Sequence, residues 1–134
     1  FLGWALRSIG IVKVERRGGA NARREMNAGV QAAVERGHSL MVYPEGSRTM
    51  TGKLQPFKRG AFAIAIDNQL PVLPITIHGS FEAWPKGLWV HGGLVIAEIG
   101  NPIPTEGFTR KDLNGLVEQT YKAVAETKTR LETE

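Results

Sequence analysis

The chain has 134 residues, 42% hydrophobic and 22% charged, a length and balance suited to one globular domain with its own core. It has no cysteine, which excludes disulfides and thiolate metal sites; no uninterrupted apolar run approaches the roughly 18 residues that span a bilayer, and no signal peptide is visible. The formal charge is +4, and all of that surplus falls before His38, where Arg7, Lys13, Arg16, Arg17, Arg23, Arg24 and Arg36 stand against Glu15, Glu25 and Glu35.

Phe1 to Ile9 reads as the end of a short helix with Gly10 as its stop. Ile11-Val12-Lys13-Val14-Glu15 is β-branched and predicts a strand, and Arg16 to Ala20 a basic loop. Asn21 to Arg36 predicts a helix with Asn21 as N-cap and Gly37 as terminator, because Met26, Val30, Ala33 and Val34 recur on one side. Ser39 to Tyr43 predicts a central buried strand. Gly52 to Lys58 is a loop, and Gly60 to Ile66 an alanine-rich helix apolar on nearly every side. Leu70 to Ile77 is β-branched, but Pro71 and Pro74 confine it to a strand end or an edge. Trp84 to Trp89 is a turn, Gly93 to Ile99 a strand, and Asn101 to Pro104 an extended connector. Thr109 to Asp112 fits a capping-box variant. The helix it opens carries Leu113, Leu116, Val117, Thr120, Tyr121, Val124 and Leu131 on its core face. Strands alternating with helices predict an α/β fold: a single domain with a mixed, largely parallel sheet flanked by helices. The chain opens on Phe1-Leu2-Gly3-Trp4 without methionine, which reads as the interior of a longer protein.

The stretch Leu40-Met41-Val42-Tyr43-Pro44-Glu45-Gly46-Ser47-Arg48-Thr49 carries the densest chemistry. Pro44 and Gly46 stop regular structure abruptly. A carboxylate (Glu45), two hydroxyls (Ser47, Thr49) and a guanidinium (Arg48) follow, and then Lys53, Lys58 and Arg59. Open α/β folds place ligands at such strand ends, and arginine offers a planar fork of donors to phosphate or carboxylate oxygens. The stretch fits an anionic-ligand loop; it also fits an ordinary turn with solvated charges. His78 has no serine and acid at triad spacing. Trp4, Trp84 and Trp89 are packing residues or, with Lys86 between the last two, an interfacial membrane contact.

Gly10 to Arg16, then Tyr43-Pro44-Glu45-Gly46-Ser47-Arg48, then Leu70-Pro71-Val72-Leu73-Pro74-Ile75, in this order and spacing, resemble three of the four sequence blocks of the glycerolipid acyltransferases, in particular the bacterial lysophosphatidate acyltransferases. In the second block Gly10 and Arg16 match, while Lys13 replaces the usual aromatic. In the third, Pro44, Glu45, Gly46 and Arg48 match and Ser47 is a conservative departure; Phe57-Lys58 and Gly60 follow as in the family. Pro71 and Pro74 match the fourth. The resemblance covers about residues 1 to 105. The family's first block, His-x-x-x-x-Asp, is absent: five residues beyond His38, His78 and His91 stand Tyr43, Ala83 and Ile96. Residues 1–134 are therefore expected to be the C-terminal portion of an acyltransferase domain lacking its first catalytic block, and to be inactive alone.

The resemblance implies acyl transfer from acyl-CoA or an acyl carrier protein to the free hydroxyl of 1-acylglycerol-3-phosphate, giving phosphatidic acid. It implies no catalytic residue and no metal ligand within this chain, and no cofactor beyond the acyl co-substrate. Arg16, Arg48 and Lys58 are expected to grip the acceptor phosphate. Gly10, Glu45, Gly46 and Ser47 are expected to bind substrate or organise the loop, with Glu45 holding an arginine or meeting substrate hydroxyls. The implied partners are lysophosphatidate, the acyl donor and a membrane surface, with no nucleic acid. The implied location is the cytoplasmic face of the plasma membrane, with the protein peripheral or anchored by the missing N-terminal region. The alternatives are a non-catalytic basic module on anionic lipid headgroups, or transfer to a different lyso-lipid.

Overall fold

The computed structural model describes residues 20–84 and 90–133. The predicted helix end at Phe1 to Ile9, the strand Ile11 to Glu15, Gly10 and Arg16, and most of the Trp84 to Trp89 turn lie outside them. Two compact units divide the chain, residues 1–42 and 43–134.

In the first unit, helix α1 spans Ala20–Glu35. The predicted apolar face forms: Val30 is buried, and Met26, Ala33 and Val34 are half-buried. Gly37 stops the helix as predicted. Its φ of +75° permits Gly37 N–H to bond Val34 O at 2.8 Å and His38 N–H to bond Ala33 O at 3.0 Å. These two bonds satisfy carbonyls that the last turn would otherwise strand. The buried strand expected over Ser39 to Tyr43 does not form. Met41, Val42 and Tyr43 are 68%, 54% and 69% exposed, and among the described residues no strand pairs with them. An apolar run becomes a buried strand only where a neighbour takes up its backbone groups.

In the second unit, the elements are α2 (Arg59–Asp67), β1 (Ile75–His78), α3 (Ser80–Ala83), β2 (Ile96–Ile99) and α4 (Leu113–Leu131). The α/β class holds, with a correction to the pairing. Among the described residues the sheet is antiparallel, with Ile75 opposite Ile99 and His78 opposite Ile96. The connection turns back on itself after α3, where His91 N–H bonds Ala83 O at 2.8 Å, and such a reversal returns the chain beside β1 in the opposite sense. Pro74 fixes the start of β1 as expected, because it has no N–H to donate; its carbonyl still accepts from Gly100 N–H at 2.9 Å. Val72 and Ile103 then pair beyond it. One extra residue lies on the Gly100 to Ile103 side of that step, so the connector bulges where Pro102 could not have donated.

The core forms where α2, the Ile103 connector and α4 meet. Phe62, Ile66, Ile103 and Leu116 are buried together, with Phe57, Val72, Phe108, Leu113 and Val117 packed around them. Each such side chain contributes about 1.5–3 kcal/mol by leaving water. Alternate turns of α4 face inward as predicted: Leu116, Thr120, Val124 and Leu131 are buried. Only Phe62 and Ile66 of α2 are buried, so that helix is less enclosed than its composition suggests. Polar ties close the unit. Thr105, 1% exposed, donates its hydroxyl to Leu70 O at 2.8 Å. Arg110 grips Asp67 with both Nε and Nη2, and Arg130 on α4 meets Glu98 on β2. Asp112 accepts the N–H and hydroxyl of Thr109 at 2.8 and 2.9 Å, but these bonds close a turn ahead of the helix: α4 begins at Leu113 with Asp112 as its N-cap and no side-chain capping bond, so the capping box expected from Thr109 does not cap it.

Candidate functional site

The loop from Tyr43 to Lys58 lies within the second unit and begins with a tight turn. Gly46 N–H bonds Tyr43 O at 3.1 Å, with Pro44 at the turn's second position and Gly46 at its fourth. The φ of Gly46 is +73°, which a side chain would strain. Two bonds fasten the far side of the loop to this turn. Lys58 N–H reaches Pro44 O at 2.8 Å, and Gln55 N–H reaches Glu45 Oε2 at 2.7 Å. Glu45 thus holds a backbone amide of its own loop. Lys58 is further fixed by its neighbour: the Phe57 ring lies 6.1 Å from that of Phe62 and 5.1 Å, edge-on, from that of Tyr121.

Gly46 also makes room. A Cβ there would stand 2.7 Å from Lys58 Nζ and 2.9 Å from its Cδ. The lysine side chain therefore lies across the bare glycine, bringing an ammonium against the Pro44-Glu45-Gly46 turn. Arg48 and Ser47 are exposed on the next stretch. The Arg48 guanidinium carbon lies 5.1 Å from the centroid of the Trp84 ring. Beyond it, Thr51 N–H bonds Thr49 Oγ1 at 3.2 Å and Lys53 N–H bonds Thr51 Oγ1 at 3.4 Å, local bonds that turn the chain back. Gly52 rests on Phe81 of α3; a Cβ there would meet Phe81 Cδ1 at 3.2 Å.

The fold thus brings Glu45, Gly46 and Lys58 together and sets Arg48 and Ser47 beside them. Gly10 and Arg16 lie outside the described residues. Three participants carry no signal of their role in the sequence. Gln55 contributes only its backbone amide. Phe81 and Trp84 reach the loop from about thirty residues away, through packing that no local motif encodes. Chemically, the loop offers an ammonium and a guanidinium on a fixed backbone, next to one carboxylate already engaged by an amide. Among the described residues, no group of three or more His, Asp or Glu could hold a metal ion, and no helix is long and apolar enough to cross a membrane.

The profile of the acyltransferase family matches residues 1–78, more than half of the chain and including the whole loop. This chain belongs to the acyltransferase family. Curated relatives carry one name across distant organisms. The chain is 36% identical over 90 residues to the 1-acyl-sn-glycerol-3-phosphate acyltransferase beta of Homo sapiens, covering 66% of this chain and 32% of that protein. It is 30% identical over 128 residues to the 1-acyl-sn-glycerol-3-phosphate acyltransferase of Pseudomonas aeruginosa, covering 95% and 49%. Its structure superposes on the crystal structure of the 1-acyl-sn-glycerophosphate acyltransferase of Thermotoga maritima with a TM-score of 0.75 at 26% identity, covering 99% of this chain and 52% of that one. This acyltransferase-family chain therefore shares their fold and spans about a third to a half of the length of these relatives.

Proposed function

We propose that the protein built on this chain transfers an acyl group from a thioester, acyl-CoA or acyl-loaded carrier protein, to the free hydroxyl of 1-acylglycerol-3-phosphate, yielding phosphatidic acid. Family membership and the shared name of the relatives support the reaction class. The observation that carries the chain's own part is the loop: Lys58 Nζ lies against the Gly46 turn, and Arg48 stands exposed beside it with no carboxylate paired to it among the described residues. A phosphate monoester seated there would be met by two cations. Arg16, from the second family block, is the proposed third. Glu45, held by Gln55 N–H, organises the loop and is kept from repelling the phosphate by that bond and the adjacent lysine.

In the reaction, the acceptor oxygen attacks the thioester carbonyl carbon. The new C–O bond forms, the C–S bond breaks, and the hydroxyl proton passes to a general base and on to the leaving thiol. The base is the histidine of a His-x-x-x-x-Asp block, which this chain does not contain and which we propose the complete protein supplies. The thioester itself is the activated group, so the transfer calls for no further cofactor. Because the acceptor and product are lipids, we propose that the reaction runs at a membrane surface, at the cytoplasmic face where thioester donors are available.

The test is acyl transfer by the complete protein, with lysophosphatidate varied and the labelled acyl donor saturating. A charge-assisted bond is worth about 1.5–3 kcal/mol, so Arg48→Ala is expected to raise the acceptor KM about 10- to 150-fold. An unchanged KM would remove Arg48 from the phosphate site. Salt-sensitive binding to anionic vesicles without thioester cleavage would instead establish a non-catalytic headgroup module.

A further inference from the structure

We propose that Trp84 is a positioning residue for acceptor binding, its indole face holding the Arg48 guanidinium at the edge of the loop. The proposal rests on Arg48 being the phosphate ligand, and it concerns what sets that arginine in place.

Arg48 is exposed and has no carboxylate to orient it among the described residues. An arginine so placed spreads over many rotamers, and a phosphate must order it on every encounter. Its guanidinium carbon lies 5.1 Å from the centroid of the Trp84 ring, within the range of cation–π attraction. A cation–π contact acts on the guanidinium's charge and supplies no oxygen acceptor to its five N–H groups, so the donor fork stays available to phosphate oxygens.

The backbone that carries the ring is fixed, while the residue itself is 53% exposed. The main-chain N–H of Trp84 bonds Ser80 O at 3.1 Å at the end of α3, and His91 N–H closes onto Ala83 O. Helix α3 starts from Gly79, at φ +80°, whose bare Cα lies so near the segment entering β2 that a Cβ would fall 2.1 Å from Leu94 O. Three residues before Trp84, on α3 itself, Phe81 supports Gly52. One element thus meets the loop twice, at Arg48 and at Gly52. Those contacts hold the span between them on two aromatic rings, while Lys58 and Glu45 hold its base.

The experiment measures acyl transfer by the complete protein against lysophosphatidate concentration for Trp84→Ala, Trp84→Phe, Arg48→Ala and the double variant Arg48→Ala/Trp84→Ala. Trp84→Ala is expected to raise the acceptor KM about 2- to 5-fold with kcat nearly unchanged. Trp84→Phe is expected to recover most of the loss. In the Arg48→Ala background, removing the ring is expected to add nothing, because its effect runs through that arginine. If Arg48→Ala raises KM and Trp84→Ala does not, the positioning role falls and the phosphate reading stands. If Arg48→Ala leaves KM unchanged, the phosphate reading falls first. Equal, additive losses of kcat in both backgrounds would mean that Trp84 serves general packing, and would overturn the proposal. Should Trp84→Ala fail to fold, Trp84→Leu keeps apolar bulk without the π face and is expected to show the same KM rise; a wild-type KM in that variant overturns the proposal.

Discussion

Gly79→Ala isolates the joint on which the second unit turns from β1 into α3. Two separate costs meet there. The φ of +80° belongs to the left-handed region, where an L side chain costs about 1–2 kcal/mol. The added Cβ would also stand 2.1 Å from Leu94 O, 3.2 Å from Leu94 C and 3.5 Å from Val95 Cα. These are backbone atoms at the entry to β2, so no side-chain rotation relieves the clash. Forcing them apart adds about 1–3 kcal/mol, the usual range for overpacking. The sum, about 2–5 kcal/mol, is a large share of the roughly 5–15 kcal/mol that keeps a domain folded. Gly107→Ala is the matched control: its φ is +76°, but nothing lies within 4 Å of the new Cβ, so it carries the conformational cost alone. Urea denaturation of both variants beside wild type measures the difference. Gly79→Ala is expected to lose at least 1 kcal/mol more than Gly107→Ala. Equal losses would show that the Leu94 contact yields easily, and the seat of α3 would then not be rigid.

Two further outcomes are expected. Thr105→Val keeps the shape of a side chain 1% exposed but removes the hydroxyl that bonds Leu70 O, and should cost about 1–3 kcal/mol in the same denaturation assay. The Asp112 carboxyl is held below its ordinary pKa by the Thr109 N–H and then the Thr109 hydroxyl, and Glu132 by its bond to Lys128 and that residue's charge. A carboxylate depressed in the folded state stabilises above its unfolded pKa and loses that contribution as pH falls through the folded value. The melting temperature should therefore drop as pH falls below about 4–4.5. Asp112→Asn should flatten part of that slope, which thermal melts across an acid series would read.

Helices were the most legible part of the sequence, because their period writes itself into neighbouring positions. Val30 on α1 and Leu116, Thr120 and Val124 on α4 were placed by spacing alone and are buried. The Gly37 stop was legible for a related reason: glycine is the residue that takes its φ of +75° without strain. Strands were less legible because their state depends on partners far along the chain. Leu40 to Tyr43 has the apolar content of a strand yet stands exposed, while Ile75–His78 forms one by pairing with Ile96–Ile99. The turn after α2 hid its cue. Gln69 takes a φ of +51° where glycine would be expected, and its side chain offsets the strain by donating to Ile66 O and Phe108 O and accepting from Gly107 N–H. Within the site, the short motif Pro44 to Arg48 announced itself by residue type. The contacts of Arg48 with Trp84 and of Gly52 with Phe81 did not, since each joins residues about thirty positions apart.

The site's order is inherited from the core through one residue pair. Phe57 sits between Phe62 and Tyr121, and its position sets the backbone of Lys58, whose N–H closes the loop on Pro44. The lysine's main chain is thus fixed by packing while its ammonium remains exposed at the glycine turn. A cation carried this way loses little backbone freedom when an anion arrives, because that ordering accompanies folding. The same logic holds across the loop, where, among the described residues, aromatic rings rather than carboxylates support the arginine stretch. Carboxylate partners would have neutralised the cation they oriented; aromatic faces orient it and leave its charge available. A merely solvated turn would call for Gly46 as well, because its φ of +73° demands glycine, but it would not call for the ring beside Arg48, and that contact is what supports the proposed anion-binding role over a solvated turn.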